Sequence, residues 1–455
     1  LNDQSMFFGE HQVENLYMTG YFNNQNPSIF LETFEGTIDD SQINGNASLT
    51  NLYSNPHINA SLEAHQIPVD QLSTLWPQNL AKGTRTWVLE NISGGTLEAI
   101  TAYLDFSVGD LERDNLERNQ IFGTFRVNDT AVEYINGLPP AENLFADGWF
   151  DGVDLHINIE TGKILEQEID GTTLEFSDVY TGKEIGLLAL RSHGPLSDLT
   201  IFSGFSAKFI EWFKSKQNQQ LHGMAKANLN IHFPLISGLT VQDLTTKGEL
   251  TFQQLTLQRN EYILGQRQLN IMDGTGRVFF DEHKLSGHVE AIVNQTPVAI
   301  EWSTTGNSGP SDPIGSAVVR TTLTENFGEG LENFFLFADG EAALEITINA
   351  FTDGHQTALI NIDAAGLAAS FPSINFEKKI GDPVDIASHV NLDSWKLSSP
   401  MTFHISGKDL KGAVTVELNG TNGIAKISLQ DIAYKNEKIT ADILFNDNKI
   451  YEIDL

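Results

Sequence analysis

Apolar and polar residues alternate one by one along most of this 455-residue chain, and this pattern limits the possible folds more than any other feature. In one segment Ala102, Leu104, Phe106 and Val108 alternate with Thr101, Tyr103, Asp105 and Ser107. Successive side chains of a β-strand point to opposite faces. Such segments therefore predict strands with one apolar face and one face in water.

The same alternation returns in seven further segments, six of which supply the candidate functional residues. We predict that the apolar residues of these six share a concave surface, because each set occupies one face of its strand. The predicted lining residues are Leu155, Ile157, Ile159, Leu229, Ile231, Phe233, Leu250, Phe252, Leu255, Leu257, Leu344, Ile346, Ile348, Val414, Val416 and Leu418.

Short Asn-Gly and Asp-Gly pairs separate the alternating segments. Gly and Asn tolerate the positive φ of tight turns, so these pairs are predicted turns. They are Asn136-Gly137, Asp170-Gly171, Asp273-Gly274, Asp339-Gly340, Asn419-Gly420 and Asn422-Gly423.

The turns imply about 25 to 30 strands, and open twisted sheets rarely exceed about ten without curling, splitting or closing. We therefore predict an all-β fold: an elongated, curved and twisted sheet of repeated hairpins, forming a trough with an apolar concave face. A few short helices complete this prediction.

Helical patterns interrupt the strands at few places. A short amphipathic helix is predicted near residues 77–92, with Trp87 on its apolar face and Gly94-Gly95 after its end. A second helix is predicted at residues 205–216, and a weaker candidate lies near residues 323–333. We expect their aromatic residues to pack against the sheet.

The chain contains no Pro/Ser-rich linker between separate globules. We predict one continuous elongated body with three sections. These are a β-repeat section at residues 1–66, a helix-bearing section at 67–220 and a second β-repeat section at 221–455.

Charge and cysteine content exclude several functional classes. With 27 Lys+Arg against 60 Asp+Glu, the net charge of −33 repels nucleic acid and anionic membrane surfaces. The absence of cysteine excludes disulfides, thiolate metal sites and cysteine catalysis. No apolar run reaches the roughly 18 to 20 residues that span a bilayer.

Three aspartates in a Gly-rich segment, Asp147, Asp151 and Asp154, could hold calcium, but their spacing does not fit an EF-hand. Turn chemistry is the favoured interpretation. The twelve histidines show no metal-binding pair at helical spacing, and we predict no metal site.

Catalytic patterns are also missing from the sequence. Ser192 and His193 are adjacent, so on a strand their side chains point to opposite faces. No phosphate-binding loop and no G-x-S-x-G motif occurs. We predict neither an enzyme nor a cofactor.

One region of the chain resembles a known family. It contains Leu75-Trp76-Pro77, Leu80-Ala81, Arg85, Trp87-Val88, Asn91-Ile92, Gly94-Gly95, Phe125-x-Val127, Val132-x-Tyr134 and Leu138-Pro139-Pro140. These residues resemble the central region of the AsmA-like family of Gram-negative envelope proteins, of the YhdP type. Looser similarity at residues 274–287 and 358–383 extends the resemblance over roughly residues 65 to 400.

The resemblance implies a periplasmic bridge-type protein that carries phospholipid between the inner and outer membranes along a hydrophobic groove. It also implies that this chain is an interior piece, with an inner-membrane anchor segment outside it and an unidentified outer-membrane partner. The alternative is a structural or outer-membrane assembly factor with a filled β core. A carbohydrate-active or adhesin β-solenoid would instead show stacked aromatic or acidic rows.

Overall fold

The structure is a computed structural model, and it describes most of the chain. The described residues are 12–39, 41–76, 82–112, 119–135, 138–177, 185–202, 220–236, 238–240, 243–259, 269–281, 284–304, 312–324, 338–371, 376–393, 396–397, 400–418, 424–435, 437–446 and 449–454.

Antiparallel β-strands form nearly all of the described structure, which confirms the all-β prediction. The chain divides into two compact units. The N-terminal unit comprises residues 1–211 and 225–248, and the C-terminal unit comprises residues 212–224 and 249–455. Strands β12 (Gln220–Pro234) and β13 (Thr245–Arg259) contribute residues to both units.

The remaining strands of the N-terminal unit form a succession of hairpins. They are β1 (Val13–Asn23), β2 (Ser28–Ile38), β3 (Ser41–Thr50), β4 (His57–Pro68), β5 (Ile92–Ser93), β6 (Thr96–Ser107), β7 (Ile121–Val132), β8 (Ala141–Asp151), β9 (Leu155–Ile164), β10 (Gln167–Ser177) and β11 (Ile185–Pro195). Each pairs with the next, except that β4 pairs with β6 and the short β5 pairs with β7. Neighbours in sequence are therefore neighbours in the sheet.

Helices of the N-terminal unit are short. They are a 3-10 turn (Val69–Gln71), α1 (Leu72–Leu75), α2 (Lys82–Asn91), α3 (Val108–Glu112) and α4 (Leu196–Phe202). Helix α2 confirms most of the helix predicted near 77–92, and residues 77–81 lie outside the described part. Gly94 and Gly95 follow it with φ of 64° and 70°. The helix predicted at 205–216 also lies outside the described residues.

The end of β6 differs by one residue from the predicted strand. Val108 is the first residue of α3 rather than a strand residue. The Asp110 carboxylate accepts hydrogen bonds from the Ser107 backbone N–H, at 2.9 Å, and from its hydroxyl, at 2.7 Å. This local capping interaction begins a helix where alternation predicted continued strand.

The C-terminal unit repeats the hairpin succession. Its strands are β14 (Leu269–Asp281), β15 (Lys284–Val293), β16 (Thr296–Thr304), β17 (Gly315–Leu323), β18 (Ala338–Gly340), β19 (Ala342–Ala350), β20 (Gln356–Asp363), β21 (Leu367–Phe371), β22 (Phe376–Lys378), β23 (Val384–Asp393), β24 (Lys396–Leu397), β25 (Met401–Gly407), β26 (Leu410–Leu418), β27 (Ile424–Tyr434), β28 (Glu437–Asn446) and β29 (Lys449–Asp454).

From β14 to β29 the long strands pair in chain order, and β18, β21 and β22 form a separate three-stranded sheet. The weaker helix candidate near 323–333 is not described beyond residue 324. Leu323 itself ends β17 and pairs with Ala342.

Three of the predicted Asp-Gly turns prove to lie inside strands. Asp170-Gly171 belongs to β10, Asp273-Gly274 to β14 and Asp339-Gly340 to β18. The pairing register shifts at the first two sites, which marks them as β-bulges. A bulge uses the same positive φ as a turn, so the residue types alone do not separate the two. The other three pairs lie outside the described residues.

Candidate functional site

Cross-strand register joins the apolar residues of the N-terminal unit into one continuous face. On β9, Leu155 pairs with Phe150 of β8 on one side and with Phe176 of β10 on the other. Ile157 likewise pairs with Gly148 and Leu174. Paired residues lie on the same face of a sheet, so the apolar side of each strand continues into the next. We call this surface the inner face.

The C-terminal unit has an inner face of the same kind. Ile346 of β19 pairs with Val319 on one side and with Ile360 on the other. Uncharged residues occupy nearly all positions that the register places on the inner face of either unit, and Glu437, the first residue of β28, is an exception through its pairing with Tyr434. The inner face is therefore an apolar surface that crosses many strands.

The opposite, outer face carries paired charges. Arg320 of β17 lies between two glutamates, with Nε 3.0 Å from Glu345 and Nη1 3.3 Å from Glu301. These hydrogen bonds, the one to Glu345 first, raise the pKa of Arg320. In the N-terminal unit Arg126 lies 3.2 Å from Glu160. The two faces thus differ sharply in polarity.

Histidines of the outer face lie beside carboxylates rather than in metal sites. His57 is 2.7 Å from Asp105, and His156 is 3.3 Å from Glu175. His156 also stacks on the Trp149 ring, with centroids 5.7 Å apart. Among the described residues, no cluster of three potential ligands could hold a metal ion.

The sixteen predicted lining residues all lie in strands, and they differ in burial. Leu229, Leu250, Leu257 and Leu344 are 4 to 6% exposed, so they belong to the core. The other twelve residues are half-buried: Leu155, Ile157, Ile159, Ile231, Phe233, Phe252, Leu255, Ile346, Ile348, Val414, Val416 and Leu418. The half-buried set is the part of the prediction that a ligand could reach.

Two groups of predicted residues belong to different units of the structure. Leu229, Ile231 and Phe233 belong to the N-terminal unit, whereas Leu250 and Phe252 belong to the C-terminal unit. Their sharing of one surface therefore stays a prediction.

A helical insertion covers part of the inner face of the N-terminal unit. Leu72 and Leu75 of α1 pack on a buried cluster that contains Ala64 of β4. Trp87 of α2 contacts Phe176 of β10, with ring centroids 5.6 Å apart. From β4 to β10 the sheet takes five interstrand steps, about 24 Å. The helical insertion therefore contacts both strands and lies over part of the inner face between them.

The small sheet β18-β21-β22 covers one end of the inner face in the C-terminal unit. Leu367 of β21 joins a buried cluster with Ala342 and Val384. At its other side, the backbone carbonyl of Glu377 accepts a hydrogen bond of 2.9 Å from the Tyr434 hydroxyl of β27. Strands β23 and β27 are three interstrand steps apart, about 14 Å. The small sheet therefore reaches across several strands of this inner face.

Several inner-face aromatic residues were not among the predicted lining residues. Phe150 pairs directly with Gly123, and Trp302 pairs with Gly287. Phe176 contacts Phe233 edge-on, with ring centroids 6.2 Å apart. A glycine inside an alternating strand is the signal that could have found such pairs, because glycine marks close approach by a neighbour.

The rejected chemical sites have plain structural roles. The Asp151 carboxylate accepts the N–H groups of Val153 and Asp154, both at 2.7 Å, which confirms turn chemistry. Ser192 is 4% exposed on the inner side, whereas His193 lies 3.2 Å from Glu168 on the outer side. Their side chains thus point to opposite faces, as expected.

Comparison with known proteins gives one family. No described helix is long and apolar enough to cross a membrane. No curated protein sequence matches the chain. A family model described as "YhdP protein" matches residues 5–444, nearly the whole length. This match agrees with the residues around Trp87 and with the all-β architecture, and the chain therefore belongs to the YhdP protein family.

Proposed function

We propose that this chain is part of a periplasmic bridge-type lipid-transfer protein that carries phospholipid between the inner and outer membranes. Acyl chains would lie along the inner face, and the headgroup would stay in water beside it. Each buried CH₂ contributes about 0.8 kcal/mol to such binding. No catalytic step is required, and movement along the surface is diffusive.

The observation that carries the proposal is the half-buried state of an inner face that is apolar across many strands. In a packed sheet interior, side chains such as Ile346 and Val319 would be closed off from water, yet both remain half-buried. Exposed contiguous apolar surface on this scale is typical of binding sites. Family membership supports the same function.

The alternative is a structural or assembly factor whose own side chains fill the inner face. The buried clusters around Ala342 and Ala64 favour it locally, because there the small sheet and α1 cover the face. Half-buried inner-face residues such as Ile157, Val319 and Ile346 lie outside these clusters, which favours the lipid-transfer proposal.

Site-specific photo-crosslinking tests the proposal in the full-length protein in cells. A crosslinker at Ile346, on the inner face, should capture phospholipid, identified by mass spectrometry of the adduct. Its neighbour Thr347 points to the outer face and is the matched control. A second pair, Ile157 and Asn158, applies the same comparison to the N-terminal unit. Equal capture at both members of a pair would contradict the proposal.

A further inference from the structure

We propose that aromatic rings lying flat over cross-strand glycines form the floor of the lipid-binding face, and that these glycines set its depth. Trp302 over Gly287 and Phe233 over Gly186 are the two sites that carry the argument. The ligands are the unbranched acyl chains of phospholipid, which pack on the upper faces of the rings. This inference rests on the proposed function.

The Trp302 ring of β16 lies over Gly287 of β15, and no backbone atom is among the three atoms nearest to the position of a Cβ at Gly287. The two residues form a direct cross-strand pair. A Cβ added at Gly287 would overlap the Trp302 ring, and its three nearest atoms all belong to that ring. The indole therefore occupies the space where any other residue has its Cβ. Trp302 is half-buried, so part of its side chain remains accessible.

The same arrangement occurs in the N-terminal unit. The three atoms nearest to a Cβ at Gly186 all belong to the Phe233 ring. Phe233 is half-buried and touches the edge of Phe176. Two units built from different residues thus place a ring directly on a glycine of the inner face.

Further pairs follow this pattern with additional backbone contacts. A Cβ at Gly123 would meet Phe150 and also the Thr101 carbonyl, and a Cβ at Gly276 would meet Phe252 and the His288 carbonyl at 2.7 Å. At these sites a substitution would also disturb the backbone. Gly287 and Gly186 isolate the effect of the ring itself.

Depth follows from simple geometry. A Cβ projects from the backbone by one carbon–carbon bond, about 1.5 Å. With alanine at position 287, the Trp302 ring must rise by a comparable distance or rotate away from the strand. Either change narrows the space above the inner face, whereas glycine keeps the floor low and smooth.

A photo-crosslinker at Val319 in the full-length protein tests whether Gly287 sets the depth of the lipid-binding face. Val319 pairs with Ile300, which neighbours Trp302 on the same face of β16. We expect Gly287→Ala to lose most phospholipid capture at this position. The double variant Gly287→Ala/Trp302→Leu should regain it, because the smaller side chain accommodates the new Cβ.

Gly315→Ala is the matched control. Gly315 lies on the same face of β17, and a Cβ there would come no closer than 3.7 Å to a neighbour. Its capture should equal that of the wild type. Melting curves of all variants verify folding. If Gly287→Ala fails to fold, Gly186→Ala in the other unit, with a crosslinker at Leu155, takes its place.

Fluorine NMR with 5-fluorotryptophan follows the ring itself. A phospholipid with a spin-labelled acyl chain should broaden the Trp302 signal and spare that of Trp149, which lies on the outer face stacked on His156. Trp302→Phe and Trp149→Phe assign the two signals. Equal broadening of both signals would contradict the proposal that the Trp302 ring contacts the acyl chain.

The outcomes separate the two proposals. Lipid capture at Val319 that is unchanged by Gly287→Ala, in a folded variant, overturns the inference and leaves the proposed function standing. No capture at Val319 or Ile346 in the wild type overturns the proposed function itself.

Discussion

Neighbouring positions on one strand can have different environments, as Leu344 and Ile346 of β19 illustrate. Leu344 is 6% exposed, and Ile346, two residues further along the same face, is half-buried. Two apolar side chains on the same face of one strand thus belong to the core in one case and to an accessible surface in the other.

An aspartate at each position should distinguish these environments. A groove wall can hydrate a new carboxylate, whereas a packed core cannot. Ile346→Asp is therefore expected to fold and to lose lipid transfer, and Leu344→Asp should cost at least about 1 kcal/mol more in unfolding free energy. Denaturant titration of both variants, with rescue of an envelope-lipid defect by the full-length protein, measures this. Equal, large losses of stability would favour the filled core.

A buried lysine should make the stability of the C-terminal unit depend on alkaline pH. Lys378 is 8% exposed, and its Nζ donates to the Leu367 carbonyl at 2.6 Å. Desolvation lowers its pKa from 10.5, although Asp382 and Asp363 oppose the shift. Between the lowered pKa and 10.5, the unfolded chain binds more protons than the folded chain, so stability rises with pH.

The comparison with Lys378→Met isolates this contribution. As pH rises from neutral toward about 10.5, the reference pKa of a lysine, the wild type should gain stability relative to the variant. Denaturant unfolding of both proteins across this range is the measurement. A stability difference that does not change with pH would show that the Lys378 pKa is unperturbed.

At the scale of elements, β-bulges determine which face the residues of a long strand occupy, and covering elements bury parts of that face. On β13 Phe252 and Leu255 are three residues apart, yet both serve the apolar side because Gln254 has φ of 55°. A bulge of this kind resets the alternation. The insertion α1–α2 and the small sheet β18-β21-β22 then cover parts of the faces that the strands create.

Substitution of Trp87 tests whether α2 covers the lipid-binding face or only stabilises the fold. It packs on Phe176 and is half-buried. Trp87→Ala should cost about 2 kcal/mol, below the roughly 3 to 5 kcal/mol of a fully buried aromatic. Phospholipid capture by a crosslinker at Leu155, the partner of Phe176, should increase. Trp149→Ala on the outer face is the control. A larger stability loss with unchanged capture would make α2 purely structural.

At the scale of the whole molecule, the net charge of −33 governs encounters with membranes. The chain should bind vesicles with anionic phospholipid less than zwitterionic ones at low salt, because like charges repel. High salt should remove the difference, since screening shortens the range of the repulsion. Co-sedimentation with both vesicle types measures this. Stronger binding to anionic vesicles at low salt would contradict the prediction and would indicate a local basic surface.

Local patterns were sufficient to predict the all-β fold, the helix around Trp87 and the separation of faces at Ser192 and His193. Each depends on residues close in sequence, through the two-residue period of a strand or the caps of a helix. The family resemblance was carried by the same segment. Sixteen lining residues were assigned to strands correctly for this reason.

Tertiary structure alone decided which of those residues are accessible. Ala342 is buried beside Leu367 of the small sheet, whereas Ile346 on the same face of β19 is half-buried, and no local pattern distinguishes the two positions. Asp170-Gly171 and Asp273-Gly274 became bulges because the neighbouring strands continue past them. The rings over Gly186 and Gly287 come from other strands. Sequence periodicity determines which face a side chain occupies, whereas long-range packing determines what covers that face.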